Sequence, residues 1–247
     1  HNNYLSKSTS QKPMQPKKYQ FSPSSLSLFK DCPRCFWLAL NEKIKRPRTP
    51  FPSLPNGMDA VLKEFYDSFI RDQKVPEDIA TIANVSLFGD EKKLATWRNN
   101  FIGIRTKDDE GNTIMGAIDT LLIDNKTQEL IVLDFKTRST PPNGNSYTYY
   151  VDQLTIYTWL LSQQGYPVAN YGYLIFYYPD KIIDTGVCLF KSELVKVDIE
   201  LARAPAIIAK ARTCLQNAIP NSSETCEFCL WRNKQKKRKE QTTLTGL

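Results

Sequence analysis

Histidine is almost missing from this 247-residue chain; the only one is His1. That scarcity argues against a histidine-dependent catalytic triad and against a histidine-rich metal site. Long apolar runs are missing as well. No stretch approaches the roughly 18 consecutive residues of a membrane span, so no membrane partner is expected. Residues 1–20 are polar and rich in Pro, Lys and Ser, with no apolar signal core. We expect them to be disordered and the protein to be cytoplasmic. The chain does not begin with Met, so His1 is expected to lie inside a longer chain or to follow processing. No internal repeat is evident.

What is present points to a folded domain with a basic end. Hydrophobic residues make up 41% of the chain, enough for a real core, and the formal charge is +7. The charge is local. Arg232–Glu240 carries six basic residues and one acid, a net +5 that leaves about +2 for the remainder. The expected organisation is a tail over 1–20, one domain over 21–231 and a basic tail over 232–247. Such a tail suits nucleic acid. Six cysteines stand at 32, 35, 188, 214, 226 and 229. Cys32/Cys35 and Cys226/Cys229 form two CxxC pairs, which without a secretory signal favour metal over disulfide. Four thiolates in a two-plus-two arrangement suit zinc and iron–sulfur alike. Cys188 and Cys214 fall in apolar segments and are expected in the core.

Read in order, the chain opens a helix after Ser22, a fitting N-cap with Pro23 at the first helical position. Lys43–Pro55 holds four prolines and reads as an extended connector. From Asn56, apolar residues at Met58, Val61, Leu62, Phe65, Tyr66 and Phe69 predict a helix, with Asp59, Lys63 and Asp67 on its other side. Val75–Asn100 predicts loop and a short helix over Glu91–Trp97. Phe101–Thr106 and Thr113–Ile123 predict a hairpin, and Leu130–Thr137 a third strand. Tyr149–Gln164 predicts a helix closed by Gly165. Strands follow over Asn170–Tyr178 and Ile182–Phe190, with a shorter one over Glu193–Ile199. A last helix reaches Asn217, with Pro205 either kinking it or marking its first turn. The fold class is α/β: a mixed central β-sheet flanked by helices.

The informative stretch is Gly116–Lys136, GAIDTLLIDNKTQELIVLDFK. Residues two apart on a strand share a face, so Asp134 and Lys136 project together. Asp119, on the neighbouring run, can meet them. Two carboxylates and an ammonium at a sheet rim suit a divalent metal and an activated water. Taken singly, each group also suits an ordinary surface ion pair. The ordered set carries the reading.

That set resembles the PD-(D/E)xK nuclease superfamily, and within it the RecB-like branch that includes CRISPR-associated exonucleases. Gly116-Ala-Ile-Asp119 looks like GxxD, and Asp134-Phe-Lys136 like (D/E)xK. Gln153-Leu-Thr-Ile-Tyr157 looks like QxxxY, and Ser24–Arg34 like the branch's N-terminal segment. The resemblance covers residues 21–231 and implies a restriction-endonuclease-like core acting on DNA. In that picture Asp119, Asp134 and the Phe135 carbonyl hold Mg²⁺ or Mn²⁺. Lys136 serves the attacking water, while Gln153 and Tyr157 position the strand or Lys136. Branch members usually carry a metal-binding histidine on the helix before the sheet. This chain offers Asp59, Lys63 and Glu64 there instead.

The resemblance also implies a [4Fe–4S] cluster holding the chain ends together, here at Cys32, Cys226 and Cys229. The branch's last C-terminal cysteine is absent, and Cys35 is the replacement at hand. DNA backbone contacts are expected from Lys43, Lys45, Arg46 and Arg48, from Arg138, and from Arg232–Lys239. Tyr147, Tyr149 and Tyr150 are candidates for stacking on unpaired bases.

Overall fold

The computed structural model describes residues 17–47 and 53–245. Arg48 and most of the expected N-terminal tail lie outside them. The tail's last four residues belong to the fold. The Lys17 ammonium donates to the Asn41 carbonyl at 2.9 Å, and Gln20–Phe21 forms strand β1. Helix α1, Pro23–Asp31, starts as expected. Ser22 and Ser25 bond reciprocally across its first turn, and Pro23 supplies the fixed φ. A short α2, Pro33–Trp37, and a π-helical turn, Leu38–Glu42, follow. Helix α3 then runs over Ser53–Arg71.

The large sheet has the order β2-β5-β6-β7-β8. Its strands are β2 Val85–Leu87, β5 Thr120–Asp124, β6 Leu130–Thr137, β7 Tyr171–Asp184 and β8 Val187–Asp198. Only the β6–β7 pair is parallel. The expected crossover makes that connection: helix α5, Val151–Gln163, follows a 3₁₀ turn at Thr148–Tyr150. A small sheet places β4, Thr113–Gly116, between β1 and β3, Ile104–Lys107. Helix α4, Glu91–Arg98, is capped by Asp90, which accepts from the Lys93 amide at 3.0 Å. Helices α6, Arg203–Gln216, and α7, Glu227–Thr245, complete the chain. Among the described residues no helix is long and apolar enough to cross a membrane.

Three strand expectations change. The run Thr113–Ile123 is not one strand. It breaks at residues 117–119, and its halves join different sheets. Helix α4 competes for those residues: the Ile118 amide donates to the Trp97 carbonyl at 3.1 Å, and Arg98 Nε donates to the Asp119 carbonyl at 2.5 Å. The segments 170–178, 182–190 and 193–199 are one long hairpin, β7–β8. Register shifts absorb Asp180 and Ile183, and the chain turns at Gly186 with φ +75°. Val85–Leu87 was expected as loop. It pairs with β5, and three residues are too few to show alternation.

The core centres on β6, which is buried along Leu130–Phe135. Phe135 meets Tyr66 of α3 with ring centroids 4.6 Å apart. Asp134 and Lys136 face α5 instead, as strand alternation requires. A strand covered on both faces reads as a continuous apolar run, as this one does. An acid in such a place needs a reason.

Candidate active site

At the end of β6 that emerges between α3 and α5, the Asp134 carboxylate is 1% exposed. The Lys136 ammonium forms an ion pair with Asp134 Oδ2 and donates to Gln153 Oε1 of α5 at 3.0 Å. The amide nitrogen of Gln153 donates to the Tyr157 hydroxyl at 2.9 Å, with Asp134 Oδ1 at 3.4 Å. One helical turn separates Gln153 from Tyr157, so the two share a face. The Tyr150 ring lies 4.6 Å from the Lys136 nitrogen and closes the other side by a cation–π contact.

Asp119 stands in the break between β4 and β5. Its Oδ2 accepts the Phe135 amide at 2.9 Å. Pairing of β5 with β6 stops at Thr120–Leu133, so Phe135 lies beyond the ladder on that side. In a strand the N–H and C=O of one residue point the same way. The Phe135 carbonyl therefore shares the Asp119 side. Lys63 of α3 reaches Asp119 Oδ1 at 3.0 Å and Asp59 Oδ2 at 2.7 Å. Arg98 is pinned in turn by Asp67, whose two oxygens accept at 2.9 and 2.8 Å. The column Asp59, Lys63, Asp67 faces the site, while Val61 and Phe65 are exposed. Met58, Leu62, Tyr66 and Phe69 pack inward as expected, so only Val61 and Phe65 depart from the expected apolar face.

Burial pushes the Asp134 carboxyl up to about 7; Lys136 pulls it down and the Asp119 charge pushes it up further. Burial disfavours the Lys136 ammonium, but ionised Asp134 outweighs this and holds it above the ordinary lysine value. Burial raises the Tyr157 phenol, which stays protonated. Two carboxylates thus face each other with an ammonium against each. The site is built to hold positive charge.

A family profile for the PD-(D/E)XK nuclease superfamily matches residues 85–233. The chain belongs to that superfamily. No curated protein matches it. The profile spans β2 to the start of α7, which includes every strand of the large sheet and both Asp119 and Asp134.

The nuclease fold brings together Asp119, Asp134, Lys136, Gln153 and Tyr157, the residues singled out from sequence. The oxygens of Asp119, Asp134 and the Phe135 carbonyl are the donors a hard divalent cation takes. Glu64 is not among them; its side chain pairs with Arg71 at 3.0 Å on the outer surface. Asp59 reaches Asp119 only through Lys63. Arg98 escaped the sequence reading. A charged column at four-residue steps, Asp59-Lys63-Asp67, was the signal that its helix face had buried business.

Beside Gln153 and Tyr157 opens a cavity of about 830 Å³, walled by Ser24, Ser27 and Lys30 of α1 and by Tyr149. Tyr149 is 85% exposed, whereas the Tyr150 ring lies against Lys136. Lys43 and Lys45 are exposed. Arg46 is not a free backbone contact, since it pairs with Asp31 at 2.5 Å and donates to Cys226 Sγ at 3.3 Å. Arg138 lies 5.7 Å from the Phe176 ring. Cys32, Cys35, Cys226 and Cys229 form a separate buried cluster that joins α2 to α7 and can hold a metal. Cys188 corrects an expectation: it is exposed on the β7–β8 hairpin, where both faces of the ribbon meet solvent. Cys214 is half-buried against the core.

Proposed function

We propose that this chain is an Mg²⁺- or Mn²⁺-dependent DNA nuclease of the RecB-like type, acting in repair, recombination or phage- or CRISPR-related DNA processing. One observation carries the reading: Asp119, Asp134 and Lys136 converge at one strand end, backed by Gln153 and Tyr157. A divalent cation held by Asp119, Asp134 and the Phe135 carbonyl would lower the pKa of a water and draw charge from the scissile phosphate. The chain's own groups do the rest. Gln153 holds the Lys136 ammonium in place, so it can orient the attacking water or donate to the developing phosphorane oxygen. Arg98 and the Phe135 amide fix Asp119 from two sides. The cavity beside Gln153 and Tyr157 gives a strand room to lie, with Tyr149 available to stack on a base.

The test is cleavage of linear and circular DNA, single- and double-stranded, with Mg²⁺ or Mn²⁺. Activity is expected with metal, lost on chelation, and reduced by at least about 10³-fold in Lys136→Ala and Asp134→Asn. A second reading has its own support. Lys63 sits on Asp119 Oδ1, where a cation would be held, and no histidine replaces it. That arrangement favours a catalytically silent nuclease fold that binds nucleic acid or a protein. The silent reading requires DNA binding without cleavage and no divalent-ion binding by calorimetry.

A further inference from the structure

The cysteine cluster carries its own metal preference in its sulfur spacing. Cys32 to Cys229 is 3.9 Å, Cys35 to Cys226 is 3.7 Å and Cys35 to Cys229 is 3.6 Å between sulfurs. All four sulfurs lie within 4.8 Å of one another. Zinc bound by four thiolates at about 2.3 Å has sulfur–sulfur edges of about 3.8 Å, the edge of a regular tetrahedron around one ion. A disulfide needs about 2.0 Å, and the four are free thiols.

A four-iron cubane fits poorly. Each of its thiolates stands outward from a different iron, with inorganic sulfide filling the space between. Its outer sulfurs must therefore be spread by the whole width of the cube plus two iron–sulfur bonds. A cage in which every sulfur lies within 4.8 Å of the others encloses one ion.

We infer that Cys32, Cys35, Cys226 and Cys229 hold a single tetrahedral Zn²⁺, in place of the [4Fe–4S] cluster that the family resemblance implies. The site is closed, as structural zinc sites are: all four cysteines are buried and no fifth donor is needed. Four thiolates around Zn²⁺ leave two negative charges. Arg46 answers them, with Nη2 at 3.3 Å from Cys226 Sγ and its guanidinium 4.6 Å from the Phe228 ring centre. The same guanidinium holds Asp31, which lines the cavity beside Gln153. The zinc thus clasps α2 to α7 and, through Arg46, fixes one wall of that cavity. It stands whether or not the chain cuts DNA.

The test uses the full chain, expressed with excess iron and purified without oxygen, so that iron has every chance to load. Elemental analysis should give about one zinc per chain and no acid-labile sulfide. Absorption at the zinc edge should show four sulfurs at about 2.3 Å. Iron with labile sulfide overturns the inference, as does a folded chain with no metal, or one with Cys–Cys disulfides. Arg46→Leu should keep the fold and lose zinc to a chelator about 10-fold faster. An unchanged rate removes Arg46 from the site.

Discussion

Two residues decide what the metal-free site costs. Lys63 neutralises Asp119 and is the nearest cation to Oδ1. A divalent ion at that oxygen must displace it. In Lys63→Met the competition is gone, so Mn²⁺ affinity measured by calorimetry should rise about tenfold, equal to about 1.4 kcal/mol. The metal-free protein should melt earlier, since two carboxylates are left to repel each other. Unchanged Mn²⁺ affinity would place the ion away from Asp119. Asp134 sets the pH response. Its folded pKa, about 7, lies above the ordinary 3.8. The folded state therefore binds the extra proton, and the stability this brings is complete below about pH 4 and lost as pH rises through about 7. Melting of metal-free protein across this window should fall more for the wild type than for Asp134→Asn, which carries no titrating carboxyl. Bound Mn²⁺ favours the ionised carboxylate, so its stabilisation should grow over the same window. Equal pH slopes for the two proteins would show that Asp134 ionises normally.

At the scale of elements, the two sequence motifs are locked together by one glycine. A Cβ at Gly116 would meet Tyr157 Cε1 at 2.5 Å and Cδ1 at 2.7 Å. The last residue of β4 has to lack a side chain so that the α5 tyrosine can lie against it. Gly116→Ala should cost about 1–3 kcal/mol in denaturant melts. Tyr157→Leu should return part of that stability in the double variant without restoring cleavage. Full additivity of the two changes would mean that the strand shifts and the ring does not. This contact could not be read from sequence, because the spacing of GxxD and QxxxY says nothing of how helix and strand meet. The strand carrying Asp134 and Lys136 was legible, since an Ile-, Val- and Leu-rich run bounded by a polar turn admits few other structures. Helix α5 was legible from its period and from Gly165. The break at 117–119 was not, because it is made by Trp97 and Arg98, twenty residues upstream. Most of the inward face of α3 was legible from its period, but its edge was not, for a related reason. Its exposed Val61 and Phe65 look like core, and its site-facing charges look like surface, until Asp119 and Arg98 are in place to pair with them.

For the whole molecule, the ends of the chain do different work from its middle. Asp119 and Asp134 lie within the matched superfamily region, but the cavity wall and the cysteine clasp draw on α1 and α2, which precede it. The clasp was legible as two CxxC pairs, while its sulfur spacing was not. The expected boundary at 231/232 falls inside α7, so the basic segment is a continuation of the helix that the clasp anchors. From Leu230 to Gln241 every residue of that helix is exposed. A helix polar on all sides gains no stability from a core, and its placement depends on the anchored first turn. It presents six basic residues, Arg232–Lys239, beyond the clasp. If they neutralise phosphates, each contributes about −0.9 to the slope of log affinity against log salt. A chain ending at Trp231 keeps all four cysteines and both acids. It should melt within a degree or two of the full chain, bind duplex DNA more weakly at low salt, and show a slope shallower by about 2–5. Stripping any metal held by the four cysteines from the full chain should shrink the same slope, because the helix then loses its fixed origin. A truncated chain with an unchanged salt slope would assign the DNA-binding surface to the cavity side alone, and would leave α7 only Cys229 to contribute.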